Sequence, residues 1–90
     1  MLKIEISRQA GKFLKKIHPK HGRQVARKLL ELQENPVPID SILLKGKHNR
    51  YLRCDIGEYR IVYYVEAKVL RIIIIGKRND GEVYKILNHY

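Results

Sequence analysis

The chain has 90 residues, 44% of them hydrophobic, and its 19 Lys and Arg against 9 Asp and Glu give a net charge of +10. A chain this short forms one domain, residues 1–90, and buries only roughly two-thirds of its unfolded surface, so its core is thin. Its apolar content is too high for a disordered chain, no apolar run approaches the roughly 20 residues of a membrane span, and the opening MLKIEISRQ lacks an export signal, so a cytoplasmic protein is expected.

Leu2, Ile4 and Ile6 alternate with Lys3, Glu5 and Ser7, the period of a strand with one wet face. Ser7 is placed to cap a helix whose apolar stripe is Ala10, Phe13, Leu14 and Ile17. His18-Pro19 ends it, because proline disfavours the α conformation in the residue before it. A second helix is predicted over 20–34, buried through Val25, Leu29 and Leu32 and widened by Ala26 and Leu30, with Arg27 and Glu31 paired on its outer side. Asn35-Pro36 stops it. Two helices joined by one Pro-containing turn read as a helical hairpin.

After Asp40 the texture changes to strands: a short one at 42–45, then 51–56, 59–66 and the most apolar, 69–77. Short turns at Gly57-Glu58 and Ala67-Lys68 make the last three an antiparallel meander. Residues 80–90 suit a short helix, with Asp80 as its cap and Val83, Ile86, Leu87 and Tyr90 on its apolar side. The fold class is α+β, in the order β-α-α-β-β-β-β-α: an antiparallel twisted sheet with an N-terminal helical hairpin packed on one face and a short C-terminal helix.

Strand parity sorts the side chains. Leu52, Cys54 and Ile56 face the helices, with Tyr59, Ile61, Tyr63 and Val65 on the next strand. Arg53 and Asp55 face the other way, joined by Arg60, Val62 and Tyr64, while Gly76 leads to Arg78. One sheet face thus presents Arg53, Arg60 and Arg78, with Tyr84 following on the C-terminal segment. Guanidinium groups with a phenol on a sheet suit phosphates and stacked bases. So large a positive charge favours a polyanionic partner. Lys45, Lys47, Arg50 and Lys77 extend the basic surface as candidate RNA contacts. The helical cations Lys12, Lys15, Lys16, Lys20, Arg23, Arg27 and Lys28 form a wet face able to meet phosphates without sequence preference.

Cys54 is the only cysteine, at a position that reads as a small core residue. His18, His21, His48 and His89 lack the Cys or carboxylate company of a tetrahedral site, so they read as surface residues and no metal or other cofactor is expected. No phosphate-binding glycine loop and no Ser-His-Asp pattern is present.

Four segments in register carry a resemblance: Leu44-Lys45-Gly46, then Ile56-Gly57-Glu58-Tyr59-Arg60-Ile61-Val62-Tyr63, then Gly76-Lys77-Arg78, then Glu82-Val83-Tyr84. Together with the helical hairpin they resemble the RelE/ParE toxin superfamily over nearly the whole chain, and the closing GKRNDGEVYK looks most like its RelE branch. The resemblance implies a RelE-like fold and a toxin of a toxin–antitoxin pair. Its implied activity is metal-independent endoribonuclease chemistry: mRNA is cut in the ribosomal A site by attack of a ribose 2′-OH on the adjacent phosphate. By position, Arg53 matches the first basic residue of the third strand and Arg60 the arginine that holds the phosphate. Arg78 matches a second transition-state arginine and Tyr84 the tyrosine that stacks on or orients the cleaved nucleotide. The implied partners are an acidic antitoxin, the ribosome and mRNA, with no membrane.

Asp55 departs from the pattern, standing where the family often has a second basic residue proposed as general base. With an ordinary pKa near 4 a carboxylate is a weak base unless its pKa is raised, and the role stays open between Asp55 itself, His48 and His89. Two other readings stand beside the enzyme: a ParE-like inhibitor of DNA gyrase acting by protein contact, and a non-catalytic basic RNA-binding module.

Overall fold

The computed structural model describes residues 1–79 and 81–89. The chain runs β1 (Lys3–Ile6), α1 (Arg8–Lys16), α2 (Pro19–Glu34), β2 (Ile42–Leu43), a 3-10 turn (Gly46–His48), β3 (Leu52–Ile56), β4 (Tyr59–Glu66), β5 (Val69–Lys77) and α3 (Glu82–Leu87). The α+β class and the order of elements are those expected from the sequence. The strands form one sheet in the order β1-β5-β4-β3-β2. Strands β2 to β5 are antiparallel, but β1 lies parallel to β5, so the sheet is mixed rather than antiparallel throughout. The helical hairpin carries the chain across the sheet between those two edges.

Local chemistry sets the element ends. The Ser7 side chain accepts a hydrogen bond from the Ala10 amide at 3.1 Å, capping α1 as its position suggests. At the following break the His18 ring accepts from the Lys20 amide at 3.1 Å, and Pro19 takes the first turn of α2, where its missing N–H costs nothing. The Ala67-Lys68 turn places both residues at positive φ, 53° and 63°, the geometry a two-residue hairpin loop demands.

One irregularity decides which side chains face which way. Val62 pairs with Ile74 and Tyr63 with Ile72, so Ile73 is an extra residue on β5. Such a bulge reverses strand parity beyond it. Ser7 and Gln9 satisfy the disturbed edge. The Ser7 hydroxyl donates to the Ile73 carbonyl at 2.5 Å, and the Gln9 amide both donates to the Ile75 carbonyl (2.9 Å) and accepts from its N–H (3.0 Å), continuing the ladder where β1 has stopped.

The main core lies between the sheet and the hairpin: Ala10, Val25, Leu29 and Leu32 pack against Cys54, Tyr59, Ile61, Tyr63, Leu70, Ile72 and Ile75. Tyr63 is wholly buried, and its hydroxyl donates to the Pro36 carbonyl at 2.6 Å. Cys54 is buried here too, and burial pushes its thiol pKa up to about 11, in keeping with a core role. The C-terminal helix does not join this layer. Val83 and Leu87 of α3 cover Val62 and Ile74 on the opposite face, so the helices do not share one side of the sheet. The bulge is the cause: it turns Ile74 to the second face, and an apolar pair there needs its own cover.

Two details of α2 differ from its periodicity. Leu30 is 60% exposed and Ala26 is also exposed, so the buried stripe is the narrower Val25, Leu29, Leu32. Lys28 is not on the wet face: it is 8% exposed, its ammonium lies 2.9 Å from Asp40 and 3.7 Å from Glu31, and it takes the place expected of Arg27 beside Glu31. The Asp40 hydrogen bond raises the Lys28 pKa and lowers that of Asp40. The expected cap Asp80 and the terminal Tyr90 lie outside the described residues; Gly81, at φ 72°, begins α3. Among the described residues no helix is long and apolar enough to cross a membrane.

Candidate functional site

The turn at Gly57, with φ 57°, folds β4 back on β3 so that Asp55 stands directly opposite Arg60. Residues opposite one another in a ladder share a face. The Arg60 guanidinium donates from Nε to Asp55 Oδ1 at 2.8 Å and from Nη2 to Oδ2 at 3.2 Å, a two-pronged pair. Its Nη1 donates to the Tyr84 hydroxyl at 3.1 Å, and the guanidinium carbon is 5.5 Å from the Tyr84 ring centre. Side-chain exposures of 15% for Arg60 and 31% for Asp55 put the pair at the margin of the α3 layer, where charge pairs are screened less than on an open surface.

Tyr84 arrives there because β5 carries Gly76 opposite Arg60. A methyl group at Gly76 would sit 2.9 Å from Val83 Cγ2. Only glycine lets α3 approach the strand this closely. The place of Gly76 in β5 is to admit the helix.

Arg53 pairs with Val62 and so shares this face, and Arg78 follows β5 with its amide donating to the Glu58 carbonyl at 3.0 Å. The hydrogen bond from Arg60 holds the Asp55 carboxyl below the usual carboxylate range, and the charges of Arg60, Arg53 and Arg78 push the same way. Asp55 in turn raises the Arg60 pKa. Arg53, Arg60, Arg78 and Tyr84 therefore come together around one carboxylate. The Arg60 hydrogen bonds make Asp55 a poorer base than a free aspartate and tie it to the guanidinium.

The other expected RNA contacts separate. Lys45 and Lys47 are exposed around the 3-10 turn. Lys77 is paired with Tyr59 and has the parity of the hairpin face, which takes it away from Arg60. Arg50 lies over the rings of Tyr51 and Tyr64. Those two tyrosines were not singled out as binding residues, although their parity with Arg53 and Arg60 was readable. Among the histidines, His21 is half-buried with Nδ1 2.6 Å from the Tyr59 hydroxyl, and His48 Nε2 is 3.2 Å from Asn88 Oδ1 at the far end of α3 from Gly81. Among the described residues no three His, Cys, Asp or Glu side chains gather as a metal site.

Over residues 4–81 the sequence matches the family described as ParE toxin of type II toxin–antitoxin system, parDE. The chain belongs to this toxin family. A search of curated proteins gave no match. Among solved structures the toxin is similar to a chain of the archaeal RelE–RelB complex from Pyrococcus horikoshii OT3, at 28% identity over 88% of this chain and 97% of that one, with a TM-score of 0.75. It is also similar to the isolated E. coli RelE toxin (24% identity, 99% and 97% covered, TM-score 0.74) and to a chain of the RelBE2 complex of Mycobacterium tuberculosis (18%, 86% and 98%, 0.76). At these last two identities the likeness is one of fold. The RelE/ParE resemblance read from the motifs is therefore correct at the level of the superfamily, and the fold is RelE-like.

Proposed function

We propose that the toxin is an endoribonuclease that cuts mRNA in the A site of the ribosome. The observation that carries this reading is the placement of Arg60 between Asp55 and Tyr84. An arginine has five N–H donors, and three of the five are engaged by these two side chains. The remaining two, one on each terminal nitrogen, are left for the non-bridging oxygens of a phosphate. Arg53 and Arg78 flank it as further cations.

In the reaction the ribose 2′-oxygen attacks the neighbouring phosphorus, the P–O2′ bond forms and the P–O5′ bond breaks. The products are a 2′,3′-cyclic phosphate and a free 5′-hydroxyl. The 2′-OH gives up its proton and the departing 5′-oxygen gains one. Negative charge peaks on the phosphorane, and preorganised guanidinium groups stabilise it there more than in the ground state. Asp55 is a positioning residue, fixing the plane of Arg60. Tyr84, held through its hydroxyl, offers its ring to a base. In this reading charge and alignment, supplied by Arg53, Arg60 and Arg78, carry the catalysis, while His48 meets Asn88 one helical turn beyond Tyr84. The reading places the protein in the cytoplasm with its ribosome substrate, and its net charge of +10 suits an acidic antitoxin that is partly disordered until bound. The related chains stand in an archaeal RelE–RelB complex from Pyrococcus horikoshii and in the toxin–antitoxin complex RelBE2 of Mycobacterium tuberculosis.

Primer extension on an mRNA in a purified translation system, with and without ribosomes, tests the proposal. Cuts are expected only with ribosomes, and Arg60→Ala is expected to slow them by about a hundredfold or more, with a smaller loss for Arg78→Ala. Wild-type cutting by both variants would overturn the residue assignment. The match to the ParE family favours a second reading, inhibition of DNA gyrase through protein contact. Inhibited supercoiling by folded toxin that cuts no message would establish that reading instead.

A further inference from the structure

A second cluster on the α3 face has no part in the cleavage chemistry. The Arg50 guanidinium carbon lies 4.1 Å from the ring centre of Tyr64 and 5.5 Å from that of Tyr51. The two tyrosine rings are 5.4 Å apart, and His48 stacks on Tyr51 at 5.9 Å with the planes 15° from parallel. The loop that supplies His48 and Arg50 is pinned: the Tyr51 amide donates to the His48 carbonyl at 3.0 Å, and the Leu44 amide to the Tyr51 carbonyl at 2.9 Å. His48 also meets Asn88 at the end of α3, four residues after Tyr84.

Arg50 differs from the other stacked or paired arginines. Arg60 and Arg71 are each committed to a carboxylate, Asp55 and Glu5. Among the described residues Arg50 forms no ion pair, and although exposed its guanidinium carbon lies over the Tyr64 ring. A guanidinium held this way keeps its N–H donors for an anion and has already lost much of the rotamer freedom that binding would remove. Its plane, with the rings of Tyr51 and His48, continues as a surface on which a base can stack. Tyr64 and Arg60 share a face of β4 and are four residues apart, about 13 Å along a strand, a distance that a short run of single-stranded nucleotides bridges.

We propose that His48, Arg50, Tyr51 and Tyr64 form a second single-stranded RNA subsite, which holds a nucleotide a short run along the strand from the one being cleaved, its phosphate on Arg50 and its base stacked on the ring surface. The subsite rests on the RNA reading of the Arg60 site. Because every base has a π face, it adds affinity and register without sequence preference.

The probe is a short 2′-O-methyl oligoribonucleotide, which cannot be cut, carrying the fluorescent base 2-aminopurine at each position in turn. It is titrated with purified toxin in the absence of ribosomes. Stacking quenches the probe, so quenching at one interior position separate from the Tyr84 contact is expected. Arg50→Ala and Tyr64→Ala are expected to abolish that quenching and weaken binding roughly 5- to 150-fold. Arg50→Lys keeps the charge but not the plane, so it is expected to lose the quenching while retaining more of the affinity than Arg50→Ala. Removing the base at that position is expected to weaken wild-type binding and leave Arg50→Ala unchanged. Wild-type quenching and affinity in folded Arg50→Ala, or no binding by the wild type, would overturn the subsite. Arg50-dependent quenching in a toxin that never cuts message would sink the cleavage reading and leave the subsite standing.

Discussion

On the hairpin side of the sheet, two helices of nine and sixteen residues cover Ile61, Tyr63, Leu70, Ile72 and Ile75. On the other side one helix of six residues covers Val62 and Ile74, and around it stand Arg53, Asp55, Arg60, Tyr84 and the Arg50 stack. A helix that short has no stability of its own and is held by its packing. The hairpin side supplies most of the apolar burial. The α3 side buries just enough to place a tyrosine on an arginine, and leaves that arginine at the margin of solvent where a phosphate can reach it. Stability and ligand binding are thus divided between the faces of a single sheet, and alternate residues of β4 serve each in turn.

The division is open to direct attack, first through the cores. Ile61→Ala opens a cavity beneath two helices and is expected to cost about 2–5 kcal/mol of stability, a large share of the total for so small a domain. Leu87→Ala makes a similar change beneath a short helix that can shift to close it, so a cost near the lower end of that range is expected. Urea midpoints measure both; equal losses would break the comparison. Next comes the contact that seats α3. Gly76→Ala puts a methyl group against Val83 and is expected to cost about 1–3 kcal/mol, with a loss of activity beyond the unfolded fraction because Tyr84 moves off Arg60. A folded, fully active Gly76→Ala protein would show that the seat of α3 does not matter.

Acid provides a third test. The folded pKa of Asp55 is lowered, chiefly by the Arg60 hydrogen bond, and that of Asp40 by Lys28. A carboxylate with a lowered folded pKa stabilises the native state above its unfolded value, near 4, and this stability is lost as pH falls through the lower folded value. Thermal melts from pH 6 downward are therefore expected to show a steeper fall below about pH 4 in wild type than in Asp55→Asn. Parallel curves would mean that the Arg60 clamp adds nothing to folding. The smallest effect belongs to the β4–β5 turn, remote from both faces' chemistry. Ala67→Asn with Lys68→Gly relieves two side chains held at positive φ and is expected to add about 1 kcal/mol, with cleavage unchanged.

Much of this arrangement was legible in the chain. The alternation of Arg53, Asp55 and Arg60 with Leu52, Cys54 and Ile61 placed the charged residues on one face and the apolar ones on the other, and the ladder agrees. Ser7 as a cap and His18-Pro19 as a break were equally plain. The Arg60–Asp55 clamp was half visible: Asp55 stood out as a departure, but its service to Arg60 needed the cross-strand geometry. Lys28 was misread because a cation on a basic helix looks solvated until Asp40 is folded against it.

Periodicity, turn residues and charge by themselves determined the elements, their order, the main core and the basic character of one sheet face. These depend on neighbours along the chain and on the strict period of a strand. Tertiary structure alone decided the parallel β1–β5 pairing, the bulge at Ile73, the side on which α3 lands, and which aromatic ring each arginine meets. Each of these depends on contacts between residues far apart in the chain. A single inserted residue on β5 reverses the facing of all that follow, and no local pattern of four consecutive isoleucines reveals where that reversal falls.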